Sequence, residues 1–310
     1  MVKITLKNRF MKAVRRFATI AFLSLLCVPI SSGQENKAAN PAATPPNLVV
    51  LVHQEVQYGK ESARQRLAVE TARACDRLNV PNFWIDLQSF TGPREAIFFD
   101  PFDSFEHLDA ASADWGRIYA THPDLARMQE QIDGLLSSER TIVAFRRDDL
   151  GYAVNTIDLS ETRFLRVLEV RLFPGRESDF AEASRILADA YQRIKAGTPW
   201  VVYQVESGIP TPAFLVLMPM HELKQNDDLL SWNASLLEAE GPDAAQRLQQ
   251  IVQAAYATTE TSLYAVKPEM SHVSKEFAEG DPEFWTGRPA PEPKPAKSES
   301  LQKPSSREKP

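Results

Sequence analysis

The tetrapeptide Gly59-Lys60-Glu61-Ser62 is met again as Gly175-Arg176-Glu177-Ser178, 116 positions later (175 − 59). The same offset carries Trp84 onto Trp200 and Gly92 onto Gly208. One Gly-x-Glu-Ser match is weak, but an uncommon Trp and a turn Gly recurring in register point to an internal repeat, which fixes the architecture before any single element does. A chain of this kind is read as two similar units in tandem.

Each unit has the same pattern. In the first, Asn47 to Tyr58 opens with five consecutive apolar residues and reads as a strand. Gly59 ends it, and Glu61 to Leu78 carries apolar or small residues at helical spacing, Cys75 among them. Phe83 to Phe90 and Glu95 to Asp100 form a hairpin around Gly92-Pro93. A helix starts near Phe105 behind Asp103 or Ser104, a second opens at Pro123, and Thr141 to Arg146 closes the unit. In the second, Phe164 to Phe173 is the strand and the helix after Gly175 shows Phe180, Ser184, Leu187, Tyr191 and Ile194 on one stripe. Trp200 to Glu206 and Ala213 to Met218 form the hairpin, helical pattern fills Leu229 to Ala257 with a break at Gly241-Pro242, and Ser262 to Val266 closes. The order β-α-β-β-α-β, twice, gives an α+β fold of two ferredoxin-like repeats, residues 47–150 and 160–268.

A strand ending in a Gly-Lys/Arg-Glu turn into a long helix, followed by a Trp-bearing strand, resembles the dimeric α/β-barrel superfamily, with its NIPSNAP-like and antibiotic-biosynthesis-monooxygenase-like proteins. The resemblance covers roughly residues 47 to 268. It implies two sheets facing each other as a barrel, usually from two chains, with helices outside; here one chain supplies both, as a pseudo-dimer open to further oligomerisation.

The ends carry other signals. Lys3, Lys7, Arg9, Lys12, Arg15 and Arg16 precede an apolar run from Phe17 to Ile30, as in a secretory signal with Met1 or Met11 as start, and Ser31 and Gly33 suit cleavage before Gln34. The run is shorter than the roughly 20 residues that span a bilayer, so no stable membrane insertion is expected after cleavage. Leu26 stands where a lipobox requires Gly, Ala or Ser, which argues against lipidation at Cys27. The mature chain is then secreted or periplasmic, and with Cys75 as its one cysteine it forms no internal disulfide. Residues 34–46 read as a linker, 269–285 with Phe277, Phe284 and Trp285 as a strap onto the second repeat, and 286–310 as a disordered tail of Pro, Lys, Glu and Ser.

A formal charge of −6, which includes the basic signal, argues against nucleic acid as partner. Strand alternation places Val50, Val52, Val56, Phe83, Ile85 and Leu87 against the helices and Leu51, His53, Glu55, Trp84, Asp86 and Gln88 on the opposite face. The second unit correspondingly turns Leu168, Val170, Leu172, Val201, Tyr203 and Val205 to the helices and Val167, Glu169, Arg171, Trp200, Gln204 and Glu206 away. Glu55, Glu169 and Arg171 could pair there. Two readings stay open for His53, Trp84, Asp86, Glu169, Arg171, Trp200 and Gln204: they line a small-molecule pocket, or they form a polar seam between the repeats.

No metal spacing, nucleophile elbow, P-loop or dinucleotide fingerprint is found, and no cofactor is expected. A haem-degrading relative would need an axial histidine, for which only His122 or His221 offers itself. The function expected is that of an exported protein that binds a small ligand or is non-catalytic. The alternative is a cofactor-independent monooxygenase-like enzyme acting on a small aromatic substrate in a cavity between sheet and helices.

Overall fold

A computed structural model describes residues 43–229, 239 and 241–287; the expected signal segment, most of the linker and nearly all of the expected tail lie outside these residues. The first half runs β1 (Leu48–Val56), α1 (Glu61–Leu78), β2 (Ile85–Ser89), β3 (Glu95–Phe102), α2 (Phe105–Thr121), α3 (Pro123–Asp133) and β4 (Leu136–Arg146). The second runs β5 (Phe164–Leu172), α4 (Glu177–Ile194), β6 (Val201–Ser207), β7 (Ala213–Met220), α5 (Pro242–Ala255) and β8 (Tyr256–Val266). Gly59 and Gly175 take φ of 75° and 80°, left-handed values that suit glycine, and so turn each first strand into its helix. Both helices stop in a left-handed residue, Asn79 and Lys195, again 116 apart (195 − 79).

The eight strands close into one antiparallel barrel in the order β1-β3-β2-β8-β5-β7-β6-β4. Each half therefore has the same internal order, β4-β1-β3-β2 and β8-β5-β7-β6, joined by two seams. At one, Leu87 lies opposite Val266; at the other, Ala144 lies opposite Val205. Even the irregularities correspond: the pairing with the closing strand shifts at Glu55/Val56 in β1 and at Arg171/Leu172 in β5. This is the α+β closed-barrel fold expected. No helix among the described residues is long and apolar enough to cross a membrane.

The barrel interior is packed with Val49, Leu51, Ile85, Leu87, Ile97, Phe99, Leu165, Val167, Val201, Tyr203 and Leu217. What space remains near one end is an apolar void of about 20 Å³, room for a single water at most. That end is stoppered. Phe277 and Trp285, from the short helices α6 (Lys275–Ala278) and α7 (Pro282–Thr286), pack into the barrel core beside Ile157 and Leu159. Trp285 donates its indole N–H to Ser160 O at 2.7 Å, and Arg163 stacks 3.6 Å from the Phe284 ring while pairing with Asp281. The strap thus anchors on Ser160 and Arg163 at the start of the second half and closes that end of the barrel. The last linker residues belong to the same closure: Pro45 and Pro46 are buried, and Pro46 O accepts from Tyr203 Oη at 2.9 Å.

The expected facing of the hairpin strands is reversed. Ile85, Leu87, Val201, Tyr203 and Val205 fill the barrel, whereas Trp84, Asp86, Trp200 and Gln204 face the helices. In a closed barrel both faces of a strand are buried, so alternation of apolar residues does not reveal which face is inside. On β1 and β5 the expectation holds, with Leu51 and Val167 in the barrel and Val170 and Leu172 under the helices.

The two tryptophans do matching work one residue before β2 and β6. Trp84 bonds Met270 O at 2.9 Å and packs on Phe98, Trp115 and His272; Trp200 bonds Leu150 O at 3.2 Å and packs on Tyr152 and Tyr191. Each ties a helix layer to the chain leaving a closing strand. Trp84→Ala and Trp200→Ala are expected to lower stability by about 3–5 kcal/mol each, read from urea unfolding; an unchanged midpoint in either variant would contradict a structural role for that ring.

Candidate functional site

Under α1, where a helix-to-sheet layer is ordinarily apolar, the first half buries charge. Arg64 and Asp86 have side chains 1% and 0% exposed, with Nη1 2.7 Å from Oδ2. The guanidinium also donates from Nε and Nη2 to Gln54 Oε1 at 3.3 and 3.1 Å, and Gln54 passes a bond of 3.0 Å to Glu139 Oε2. Its carbon lies 5.0 Å from the centre of the Phe98 ring. The contact with Asp86 is one of charge rather than of aligned hydrogen bonds, and neither carboxylate oxygen meets a well-aligned donor. Burial pushes the Asp86 carboxyl up to about 6 against the pull of Arg64.

The other half shows that the fold does not demand this. The 116-residue offset sets Arg64 against Phe180, Asp86 against Val202 and Gln54 against Val170 (180 − 64, 202 − 86, 170 − 54), all three buried in an apolar cluster. Phe180 there stacks on Phe214 at 4.1 Å. Isolated buried charge is costly, and an apolar solution exists in the same molecule.

Beside the pair, Asp100 of β3 shares the layer with Trp84, Phe98, Trp115 and Tyr119, the last two stacked at 5.2 Å. Its carboxylate finds no hydrogen-bond donor among the described residues, and desolvation by these apolar neighbours pushes it up to about 8, although its surface keeps some contact with solvent. Cys75, in the same layer, is fully buried, and burial pushes its thiol up to about 12, as fits an inert core thiol.

Outside the buried pair an open groove of about 490 Å³ runs between α1 and the segment that follows β8. Met270 is its floor: its sulfur receives Arg64 Nη1 at 3.9 Å and Gln88 Nε2 at 3.7 Å. The groove and the charge pair are therefore two sides of one thioether. Ser271 Oγ accepts from Asp86 N and Lys267 N donates to Asp86 O, both at 2.9 Å, so the segment after β8 is built onto the pair.

The residues singled out from sequence divide among three places. Trp84 and Asp86 belong to the layer under α1. Trp200 and Gln204 occupy the second half's layer, where Arg147 donates to Gln204 at 2.6 Å and pairs with Asp149. His53, Glu169 and Arg171 lie on the barrel-facing side of β1 and β5, toward the end opposite the strap. His53 Nδ1 meets Glu95 Oε2 at 3.1 Å, and Tyr264 donates to the other oxygen of Glu95. Burial would raise the Glu95 carboxyl, but the bonds from His53 and Tyr264 outweigh it and hold it below its ordinary value. The expected pairing of Glu55, Glu169 and Arg171 is not made: Glu55 accepts from Ser138, and Glu169 stands opposite Glu260, with no ion pair to either among the described residues.

Sequence reasoning missed Arg64, Gln54 and Met270. The repeat did hold one signal, a charged residue standing where its counterpart is Phe180. Of the two histidines considered for a haem, His221 bonds Glu161 O at 3.0 Å through Nδ1; both ring nitrogens of the buried His272 are engaged by Asp76 and Val80, at 2.6 and 2.8 Å.

No family model matches the chain, and no curated protein matches it in sequence. Solved structures do resemble it. An anthrone oxidase-like protein aligns over 76% of this chain and 97% of its own, with a TM-score of 0.51 and 14% identity. A monooxygenase candidate from Lactobacillus acidophilus NCFM aligns over 71% and 93% (TM-score 0.44, 8% identity), and a chlorite dismutase from Candidatus Nitrospira defluvii over 76% and 96% (0.44, 8%). The fold is what is shared. At these identities only the first likeness has weight, and it bears on architecture, not on activity.

Removing one partner of the buried pair is the informative perturbation. Arg64→Leu is expected to cost about 3–5 kcal/mol by stranding Asp86, while the triple change Gln54→Val, Arg64→Phe, Asp86→Val, which copies the second half, is expected to restore at least wild-type stability. Because Asp86 titrates above its ordinary 3.8 in the folded state, its protonated form favours folding. That contribution is complete below about pH 4 and is lost as pH rises through about 6. Urea midpoints across pH 4–7 should therefore fall more steeply for wild type than for Asp86→Asn; parallel curves would refute it.

Proposed function

We propose that this chain is an exported protein that binds a small molecule on its first half, in the groove between α1 and the segment after β8, without catalysing a reaction. The carrying observation is the contrast between the halves. Where the second half packs Phe180, Val202 and Val170, the first keeps Arg64, Asp86 and Gln54 buried at a cost in stability, directly behind an open groove. Costly polar groups beside a concave surface are what a ligand site requires. The two halves are read as a duplicated unit, one chain standing for a dimer; the shared strand order and the shifts at matching positions in β1 and β5 support this. Export rests on the basic and apolar N-terminal segment ahead of Gln34.

Native mass spectrometry of the full-length gene product, purified from the exported fraction, tests the reading. A bound small molecule that is absent from the Gln54→Val, Arg64→Phe, Asp86→Val variant is the expected result, with an N-terminus beginning at Gln34. A bare wild-type chain, or cytoplasmic protein with the leader intact, would count against it.

One observation favours a second reading, a cofactor-independent monooxygenase-like enzyme. Asp100 has no donor partner among the described residues and lies in the layer that holds Phe98 and Tyr119, a setting suited to an aromatic molecule next to a carboxyl that stays protonated near neutrality. The name of the anthrone oxidase-like neighbour agrees with it. Oxygen uptake with anthrone as probe, abolished in Asp100→Asn, would move the chain to this reading.

A further inference from the structure

The groove's own charges narrow what it holds. Arg66 and Arg73 line it from α1 and Lys267 faces them from the segment after β8. Among the described residues none of these three cations has a carboxylate within ion-pair distance. The second half lacks the two arginines, which correspond there to Glu182 and Asp189 (182 − 66, 189 − 73). Glu182 is there bridged by Arg247 at 2.7 Å, while Arg147 is closed off by Asp149 and Gln204. A chain with a formal charge of −6 thus gathers three cations around one concavity, against the two carboxylates Glu70 and Glu269 that also line it.

Their placement sets a length. Arg73 follows Arg66 by seven helical positions, a distance of about 10 Å along the axis. Glu70 stands between the two arginines and would repel negative charge at the middle, while at the Arg66 end Gln65 donates to Gln88 at 2.8 Å. We propose that the groove takes an elongated molecule with an anionic group, carboxylate or phosphate, at each end and a neutral middle that offers a hydrogen-bond donor to Glu70. This deepens the ligand-binding reading above and rests on it. A volume of about 490 Å³ suits such a molecule, small-molecule sites being about 300–1,000 Å³.

Isothermal titration of the full chain at low salt, with suberate, fructose 1,6-bisphosphate and acetate as probes, tests it. Suberate or the bisphosphate should bind, the tighter of the two assigning the anion as carboxylate or phosphate, and acetate should not. In the double variant Arg66→Gln, Arg73→Gln the affinity should fall at least about tenfold, since two charge-assisted contacts are lost, while the thermal midpoint stays at the wild-type value. Equal affinity in the variant, or acetate binding as well as suberate, overturns the proposal. If no probe binds but native mass spectrometry finds a molecule that survives the double variant, the anionic class is wrong and the binding site stands; if neither is seen, both fail.

Discussion

Closure of the barrel is the constraint on which the rest depends. Each half taken alone would end in open edges, β2 and β4 in the first and β6 and β8 in the second, with backbone groups in need of partners. The seams β2–β8 and β4–β6 supply those partners from the other half. Once the sheet has closed, its interior is filled by aliphatic side chains with Phe99, Tyr203, Tyr264, Phe277 and Trp285. The roomier concavity lies outside the barrel, in the groove beside α1.

That displacement explains what could and could not be read from the amino acids. The offset between Gly59 and Gly175 was enough to place α1 and α4, because a glycine turn with positive φ has few substitutes and the helical stripes that follow are regular. Faces were harder. Trp84 and Asp86 share one side of β2, and Ile85 and Leu87 the other, but both sides are buried, so alternation alone cannot say which meets the helices. The deciding fact is the partner of Asp86, Arg64, ten residues after Gln54 on the next element, and pairings across elements leave no period in a sequence. The closing strap was half legible: Phe277 and Trp285 were apparent as anchors, yet their seat lies among residues more than 100 positions away, Trp285 with Ser160.

The two halves also form a comparison, with the same internal strand order and pairing shifts at matching positions but two different fillings. One layer is aromatic and aliphatic throughout; the other holds a guanidinium, a carboxylate and an amide that satisfy one another only in part. Because the strand order is shared, the contrast between the layers lies in the residues that fill them.

The stopper at the barrel's end has a consequence for how such a chain comes into being. Strand β1 finds β3 and β4 within the first half, but β2 waits for β8, and the barrel end waits for Phe277 and Trp285. A polypeptide emerging from its N-terminus therefore carries an unfinished edge and an uncorked core until Trp285 has been made. A chain stopped between β8 and Phe277 would have its strands without the means to seal them.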